Sequence, residues 1–349
     1  MVNIKILDRK IGDFCKPFVI AEMSGNHNNK IERAMDLVEA AYKAGADAIK
    51  LQTYTPDTMT INHSGGLFDI KDKKSLWYNR NLYDLYQEAH TPWEWHKEIF
   101  DYANSLGIIA FSTPFDESAV DFLESLDVPA YKIASFETNH FPLLKKLAEI
   151  NKPVFISTGT SNFNEIYESV NYLKKNGADK VIIFKCTSSY PASPENTNLN
   201  TIPFFKSVFP DSVIGLSDHT KGIGASIASV ALGARVIEKH FTLQRSDGGV
   251  DSAFSIEPPE LRNLVKEVNR AFKALGVVQL DTQKTEIKSR QFRRSVYVIK
   301  DVKEGEKFSE KNIKIIRPGD GLNPKNWERL LSLRASKSIK RGTPLDWDL

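Results

Sequence analysis

The sequence predicts an α/β fold, a (β/α)8 barrel followed by a small second domain. Three observations predict it: eight short runs rich in Val, Ile, Phe and Tyr, helical patterns between most of them, and polar groups at the C-terminal ends of the runs. Parallel strands covered on both faces read as continuous apolar runs. About 250 residues is the usual length of such a barrel, and the runs here extend from Phe18 to Phe241. A doubly wound open sheet is the alternative. It needs a glycine-rich turn after its first strand, and AEMSGNHN is a poor match.

In chain order the runs are FVIAEM (Phe18–Met23), AIKLQTY (Ala48–Tyr54), GIIAFSTPF (Gly107–Phe115) and AYKIAS (Ala130–Ser135). PVFISTG (Pro153–Gly159), KVIIFKCTS (Lys180–Ser188), VIGLSDH (Val213–His219) and RVIEKHF (Arg235–Phe241) complete the set. Between them, Ile31 to Tyr42 repeats apolar residues at helical spacing, and Asn164 to Lys175 and Pro259 to Leu275 do the same. Thr91-Pro92 is expected to open a further helix, with Thr as N-cap and Pro at the first helical position. Four helices are expected to close on glycine before a strand, in KAGADAIK, SLGIIAF, KNGADKVI and ALGARVIE. Glycine accepts the left-handed conformation that ends many helices.

The 349 residues are 41% hydrophobic and 26% charged, as in a water-soluble protein with a large core. A formal charge of +3 argues against a general nucleic-acid surface, while a local cluster of cations would suit a small anion. Cys15 and Cys186 are too few and too far apart for a disulfide scaffold or a thiolate zinc site. MVNIKILDRKIGDF alternates polar and apolar residues and lacks the apolar centre of a signal peptide. No run approaches the ~18 apolar residues of a membrane helix, so a reduced cytoplasm is the expected compartment.

The ends of the runs carry the chemistry. They supply Glu22, Lys50 with Gln52, Ser112 with Thr113, Lys132 with Ser135, and Ser157. Lys185 with Ser188, Ser217 with His219, and Glu238 with His240 follow. In a barrel such groups converge on one mouth. His219 and His240 end neighbouring strands and can share a divalent cation, leaving positions for water and substrate. Asp218, Glu238 and Asp251 lie close by in sequence. Ser217-Asp218-His219 is no nucleophilic triad, since consecutive strand residues point apart. His27, His63, His90, His96 and His140 are expected to be structural or exposed. Lys50 and Lys132 inside a barrel mouth call for a partner of opposite charge. That partner is either a bound phosphate or carboxylate, with hydroxyls from Thr113, Ser135, Ser157, Ser188 and Ser217, or a buried glutamate such as Glu137 or Glu238. The residues alone indicate a metal-assisted enzyme for a phosphorylated small molecule.

FVIAEMSGNHN, GADAIKLQTY, FSTPFD, YKIAS, STG, GLSDHT and GARVIEKHF, in this order, resemble the sialic acid synthase family. Its members condense phosphoenolpyruvate with an amino-sugar aldehyde to give a nine-carbon sugar acid. IKLQTYTPDTMT and LWYNRNLYDLYQEAHTPWEW most resemble the branch that makes pseudaminic acid from 2,4-diacetamido-2,4,6-trideoxy-L-altrose. The resemblance implies that His219 and His240 hold manganese or magnesium. It further implies that Lys50, Thr113, Lys132, Ser135, Ser157, Ser188 and Ser217 bind phosphoenolpyruvate. Gln52, Glu137, Tyr190 and Asp251 correspond to sugar contacts, and Glu22 to the residue that handles the attacking water. Ser188 stands where neuraminic acid synthases carry asparagine, so their hydrogen-bond pattern does not transfer unchanged.

The barrel domain is expected over 1–276. The polar stretch after Leu275, VVQLDTQKTEIKSR, is expected to be a linker (277–290), and 291–349 a small domain of short strands and turns. That domain resembles the antifreeze-like (SAF) module of the same family, which caps the partner's barrel in a domain-swapped homodimer. The match implies that Arg317, in IIRPGDG, reaches the sugar site and that Phe292 lines it. Three other readings are set beside this one. They are a neuraminic or legionaminic acid synthase, a Schiff-base sugar-acid aldolase using Lys132, and a non-enzymatic sugar-binding protein.

Overall fold

In the computed structural model, which describes residues 2–348, eight parallel strands close a barrel. An antiparallel hairpin precedes it: β1 (Asn3–Ile6) and β2 (Arg9–Gly12). The barrel strands are β3 (Phe18–Glu22), β4 (Ala48–Thr53), β5 (Ile109–Pro114), β6 (Tyr131–Ile133), β7 (Val154–Ser157), β8 (Val181–Cys186), β9 (Val213–Asp218) and β10 (Val236–His240). Each pairs with the next, and β10 closes on β3 through Val236↔Phe18 to His240↔Glu22. All eight lie within the apolar runs.

The helices of this unit are α1 (Ile31–Ala44), α2 (Pro56–Met59), α3 (Leu82–Ala89), α4 (Trp93–Leu106), α5 (Glu117–Ser125) and α6 (Phe141–Ile150). α7 (Phe163–Lys175), α8 (Thr201–Val208), α9 (Gly224–Ala231) and α10 (Pro258–Leu275) follow. Gly45 and Gly107 cap α1 and α4 at φ +85°. Gly177 and Gly233 stand one residue beyond the caps Asn176 and Leu232. Thr91 does not cap α4. Pro92 holds that position, and the Thr91 hydroxyl is 3.2 Å from buried His27 Nε2. A buried imidazole needs a partner more than an exposed helix end does, and that demand overrides the capping preference.

The core has two parts. Outside the barrel wall, Val19, Ile49, Ile133, Ile156, Ile183 and Leu216 pack against the helices. Inside, Phe111, Phe155 and Phe184 stack at centroid spacings of 5.2 and 5.7 Å. Below these rings Ile4, Ile6 and Ile11 of the hairpin pack against the first residues of the strands and close that end. Period-two alternation in NIKI buries the two isoleucines and exposes Asn3 and Lys5.

The chain divides into two compact units, with the second starting at Val277. The stretch expected as a plain linker enters a 3-10 helix, Lys284–Phe292, whose residues are exposed. The unit continues with β11 (Ser295–Val298), antiparallel to β12 (Ile313–Ile316), and α11 (Trp327–Leu331). Val296, Val298, Phe308, Ile313, Leu330 and Leu345 form its core.

Candidate active site

Alternation along the strands decides which polar groups meet. On β9, Ser217 turns into the barrel and Asp218 out; on β10, Glu238 and His240 turn in and Lys239 out. Asp218 and Lys239 pair at 3.1 Å outside the wall, and Asp218 also accepts from Ser226 and Thr220. Burial would raise the Asp218 carboxyl, but Lys239 and these hydroxyls hold it below its ordinary value. Asp218 is therefore engaged away from the histidines it adjoins in sequence. Ser112 and Lys185 also leave the mouth: Ser112 meets Thr53 at 2.6 Å, and Lys185 bonds Cys186 O and Thr187 at its own strand end.

At the centre stand two lysines and two glutamates. Lys50 Nζ lies 2.5 Å from Glu22 Oε2, an ion pair rather than an aligned hydrogen bond, and 3.8 Å from Glu238 Oε2. It donates to Thr113 at 2.9 Å. Lys132 Nζ donates to Glu238 Oε1 at 2.7 Å and sits 4.6 Å above the Phe184 ring. Ser217 donates to the same Glu238 oxygen, and Gln52 Nε2 to Glu22 Oε1 at 3.0 Å. Buried glutamate is thus what the lysines meet here, and the glutamates are Glu22 and Glu238. Glu137 is not among them. The sequence places Glu238 at a strand end beside His240 and offers it as one of two lysine partners; its register with His240, two residues on, is the signal that turns it inside.

Electrostatics separates the four groups. Burial raises Glu22 above the usual carboxylate range despite Lys50. Burial also favours a protonated Glu238, but Lys132 and Lys50 reverse that and hold it at about 2. For Lys50, burial is outweighed by the two carboxylates, which keep it above its ordinary value. Lys132 has one carboxylate and a neighbouring cation, and burial leaves it below its ordinary value.

His219 and His240 come together with ring centroids 5.3 Å apart. His219 Nδ1 lies 2.9 Å from the Thr187 carbonyl, so it donates there and Nε2 is turned free. Cys186 Sγ, 3.9 Å away, helps hold this imidazole above its ordinary value against burial. A divalent ion between the rings would replace the proton, as metal binding does at imidazole. His240 Nδ1 is buried without a partner, 3.9 Å from Asp251, and burial with the nearby cations keeps the ring well below its ordinary value. A neutral imidazole with an orphaned nitrogen is a ligand in waiting, so the residues fit a divalent cation. Among the described residues no third His, Cys, Asp or Glu completes a cluster, which leaves further positions for water or substrate oxygens.

Thr113, Ser135, Ser157 and Ser217 line the inner pocket with the lysines, and Cys186, which the sequence reading left out, lines it too. Gln52, Ser135, Ser188, Tyr190 and Asp251 reach a larger outer cavity of about 370 Å³. The two share His240 and Tyr190, and the Tyr190 ring packs 4.5 Å from His219. Gly159 N donates to Ser135 at 3.1 Å. A Cβ on Gly159 would fall 2.1 Å from Ser188 Oγ and 2.6 Å from Ser135 Oγ, so only glycine lets β7 end between the two hydroxyls. Asp251 accepts from Ser24, and burial raises its carboxyl. Glu137 lines neither cavity; its Oε2 is buried without a partner and burial lifts the carboxyl to about 7. Phe292 and Arg317 belong to the second unit, where both are exposed.

The model of the NeuB family matches residues 37–279. The chain belongs to the NeuB family. Residues 293–349 match the SAF domain that follows. Relatives named pseudaminic acid synthase match nearly the whole chain. That of Campylobacter jejuni subsp. jejuni is 45% identical over 96% of this chain and 98% of its own. That of Helicobacter pylori is 40% identical over 95% and 97%. Among solved structures, the N-acetylneuraminic acid synthetase of Leptospira borgpetersenii, in complex with citrate, superposes with a TM-score of 0.73 at 32% identity. That match covers 82% of this chain and 94% of the other.

Proposed function

We propose that this NeuB-family chain is a pseudaminic acid synthase, a transferase that joins phosphoenolpyruvate to 2,4-diacetamido-2,4,6-trideoxy-L-altrose with water and releases phosphate. One observation carries the reading: a hydroxyl-lined pocket holding two lysines and their glutamate partners lies beside two imidazoles and adjoins a roomier cavity. It is supported by 45% identity to a protein of that name over nearly the whole chain.

Lys50 and Lys132 offset the phosphate and carboxylate charges of phosphoenolpyruvate, exchanging part of their contact with Glu22 and Glu238 for ligand oxygens. Thr113, Ser135, Ser157 and Ser217 donate to the same oxygens. Carbon three of phosphoenolpyruvate attacks the aldehyde carbon of the sugar, held in the outer cavity by Gln52, Tyr190 and Asp251; Ser188, expected at phosphoenolpyruvate, lines the outer cavity rather than the inner pocket. When bound between His219 and His240, a divalent ion, for which imidazole favours manganese over oxygen-seeking magnesium, supplies Lewis acidity at the aldehyde oxygen. The cation left at carbon two takes a water that Glu22, its carboxyl raised by burial, orients and whose proton it accepts. Phosphate then leaves with cleavage of its bond to carbon two.

In this reading the SAF domain of a partner subunit completes each site in a homodimer, with Arg317 and Phe292 at the sugar, and the reaction runs in the cytoplasm. The test is incubation of the full chain and manganese with phosphoenolpyruvate and a panel of amino-sugar aldehydes, followed by mass analysis. A nine-carbon acid from the trideoxy altrose, with one phosphate per product, is the expected result. Aldehydes left unchanged throughout would overturn the reading, as would a borohydride-trapped adduct on Lys132.

A further inference from the structure

The outer cavity is not uniform. Next to the inner pocket its lining is polar, with Gln52, Ser135, Tyr190 and His240 common to both. Ser24, Ser188 and Asp251 add further polar groups, whereas the insert between β4 and β5 contributes Met59, Ile70, Trp77, Leu82, Leu85 and Tyr86, apolar but for the Tyr86 phenol and the Trp77 indole N–H. The one polar atom of the Trp77 side chain, its indole N–H, is committed to Val250 O at 2.9 Å. The Trp77 ring lies 5.8 Å from Tyr190, which packs in turn against His219 at 4.5 Å, so the wall is braced against the reacting end of the site.

This polarity gradient has a direction relative to substrate. The aldehyde carbon has to sit beside the inner pocket, where the new bond forms. The far carbons of the sugar then extend into the apolar part. A hydroxyl carried against Met59, Ile70, Trp77, Leu82 or Leu85 exchanges water for side chains that offer it no free hydrogen-bonding group, which costs free energy that a methyl group does not lose.

Resting on the synthase reading, we propose that the insert wall centred on Trp77 and Leu82 sets sugar specificity at carbon six, favouring a methyl group over a hydroxymethyl group. The choice is made by desolvation, at the end of the sugar farthest from the chemistry.

The experiment compares kcat/KM of the full chain, with manganese and saturating phosphoenolpyruvate, for two aldehydes identical except at carbon six. The methyl sugar should lead by roughly 10- to 100-fold, the range an apolar pocket achieves against an added hydroxyl. Trp77→Ala and Leu82→Ala should each shrink that ratio several-fold, while Trp77→Phe, which keeps an apolar ring, should retain most of it. Because it is a ratio, loss of active protein cancels, and the wild-type value stands even where a variant fails to fold. A wild-type ratio near one overturns this proposal and leaves the synthase reading in place, as does an undiminished ratio in active alanine variants. Turnover of neither aldehyde overturns both.

Discussion

Replacing Glu238 by glutamine removes the charge facing Lys132 while keeping the side-chain volume and an oxygen for Ser217. At 2.7 Å and an effective dielectric of about 20, the attraction lost is about 6 kcal/mol. Desolvation of the pair offsets part of that, since both side chains are almost wholly buried. Leaving Lys132 unpaired should therefore cost about 3–5 kcal/mol. Urea unfolding of the wild type and Glu238→Gln at pH 7, followed by circular dichroism, measures the difference. The sign with pH follows from the carboxyl held at about 2, below the ordinary 4.5. A depressed carboxylate contributes stability that is complete above pH 4.5 and is lost as pH falls towards 2. The gap between the proteins should thus be widest near neutrality and narrow below pH 4.5. Phosphoenolpyruvate should also protect the variant more than the wild type, because its phosphate gives Lys132 a new partner. Equal stability at pH 7, or a gap that does not close in acid, would show that Glu238 is not the counter-ion described.

Chelation should abolish turnover and manganese restore it, whereas His219→Ala should neither be rescued nor give a manganese binding isotherm in calorimetry; full activity in excess chelator refutes the metal reading. Mixing inactive His219→Ala and Arg317→Ala proteins under conditions that re-form dimers at random should recover roughly a quarter of wild-type activity if the second domain acts on its partner. Subunit exchange without recovery refutes that arrangement. Ile11→Ala, in the fully buried part of the hairpin, should lower barrel stability by about 2–5 kcal/mol with phosphoenolpyruvate affinity intact; a loss of affinity in the folded variant would show that the hairpin shapes the pocket as well.

The barrel was legible because buried parallel strands leave the same mark eight times, and because Gly45 and Gly107 end helices where the left-handed conformation is required. The mouth was legible for a related reason: polar side chains at the ends of apolar runs have few other places to go. Pairing was less so. Lys132 and Glu238 are 106 residues apart, and nothing local records which carboxylate a buried lysine will meet, although alternation with His240 points Glu238 inward. The same alternation separates Ser217 from Asp218. Thr91 shows the reverse failure, a correct local preference lost to the demand of buried His27. The apolar part of the outer cavity was hidden as well, because the insert gathers side chains from separate short segments with no shared period.

The phenyl floor and the hairpin beneath it leave the pocket no rear exit. On the proposed chemistry such a well imposes an order of traffic. Phosphoenolpyruvate must descend before the sugar, since a sugar seated in the outer cavity stands in its way. Phosphate, freed at the bottom, must wait for the nine-carbon acid above it to depart. On that chemistry the molecule should behave kinetically as a stack, the first reactant in supplying the last product out, an order that product-inhibition patterns would check.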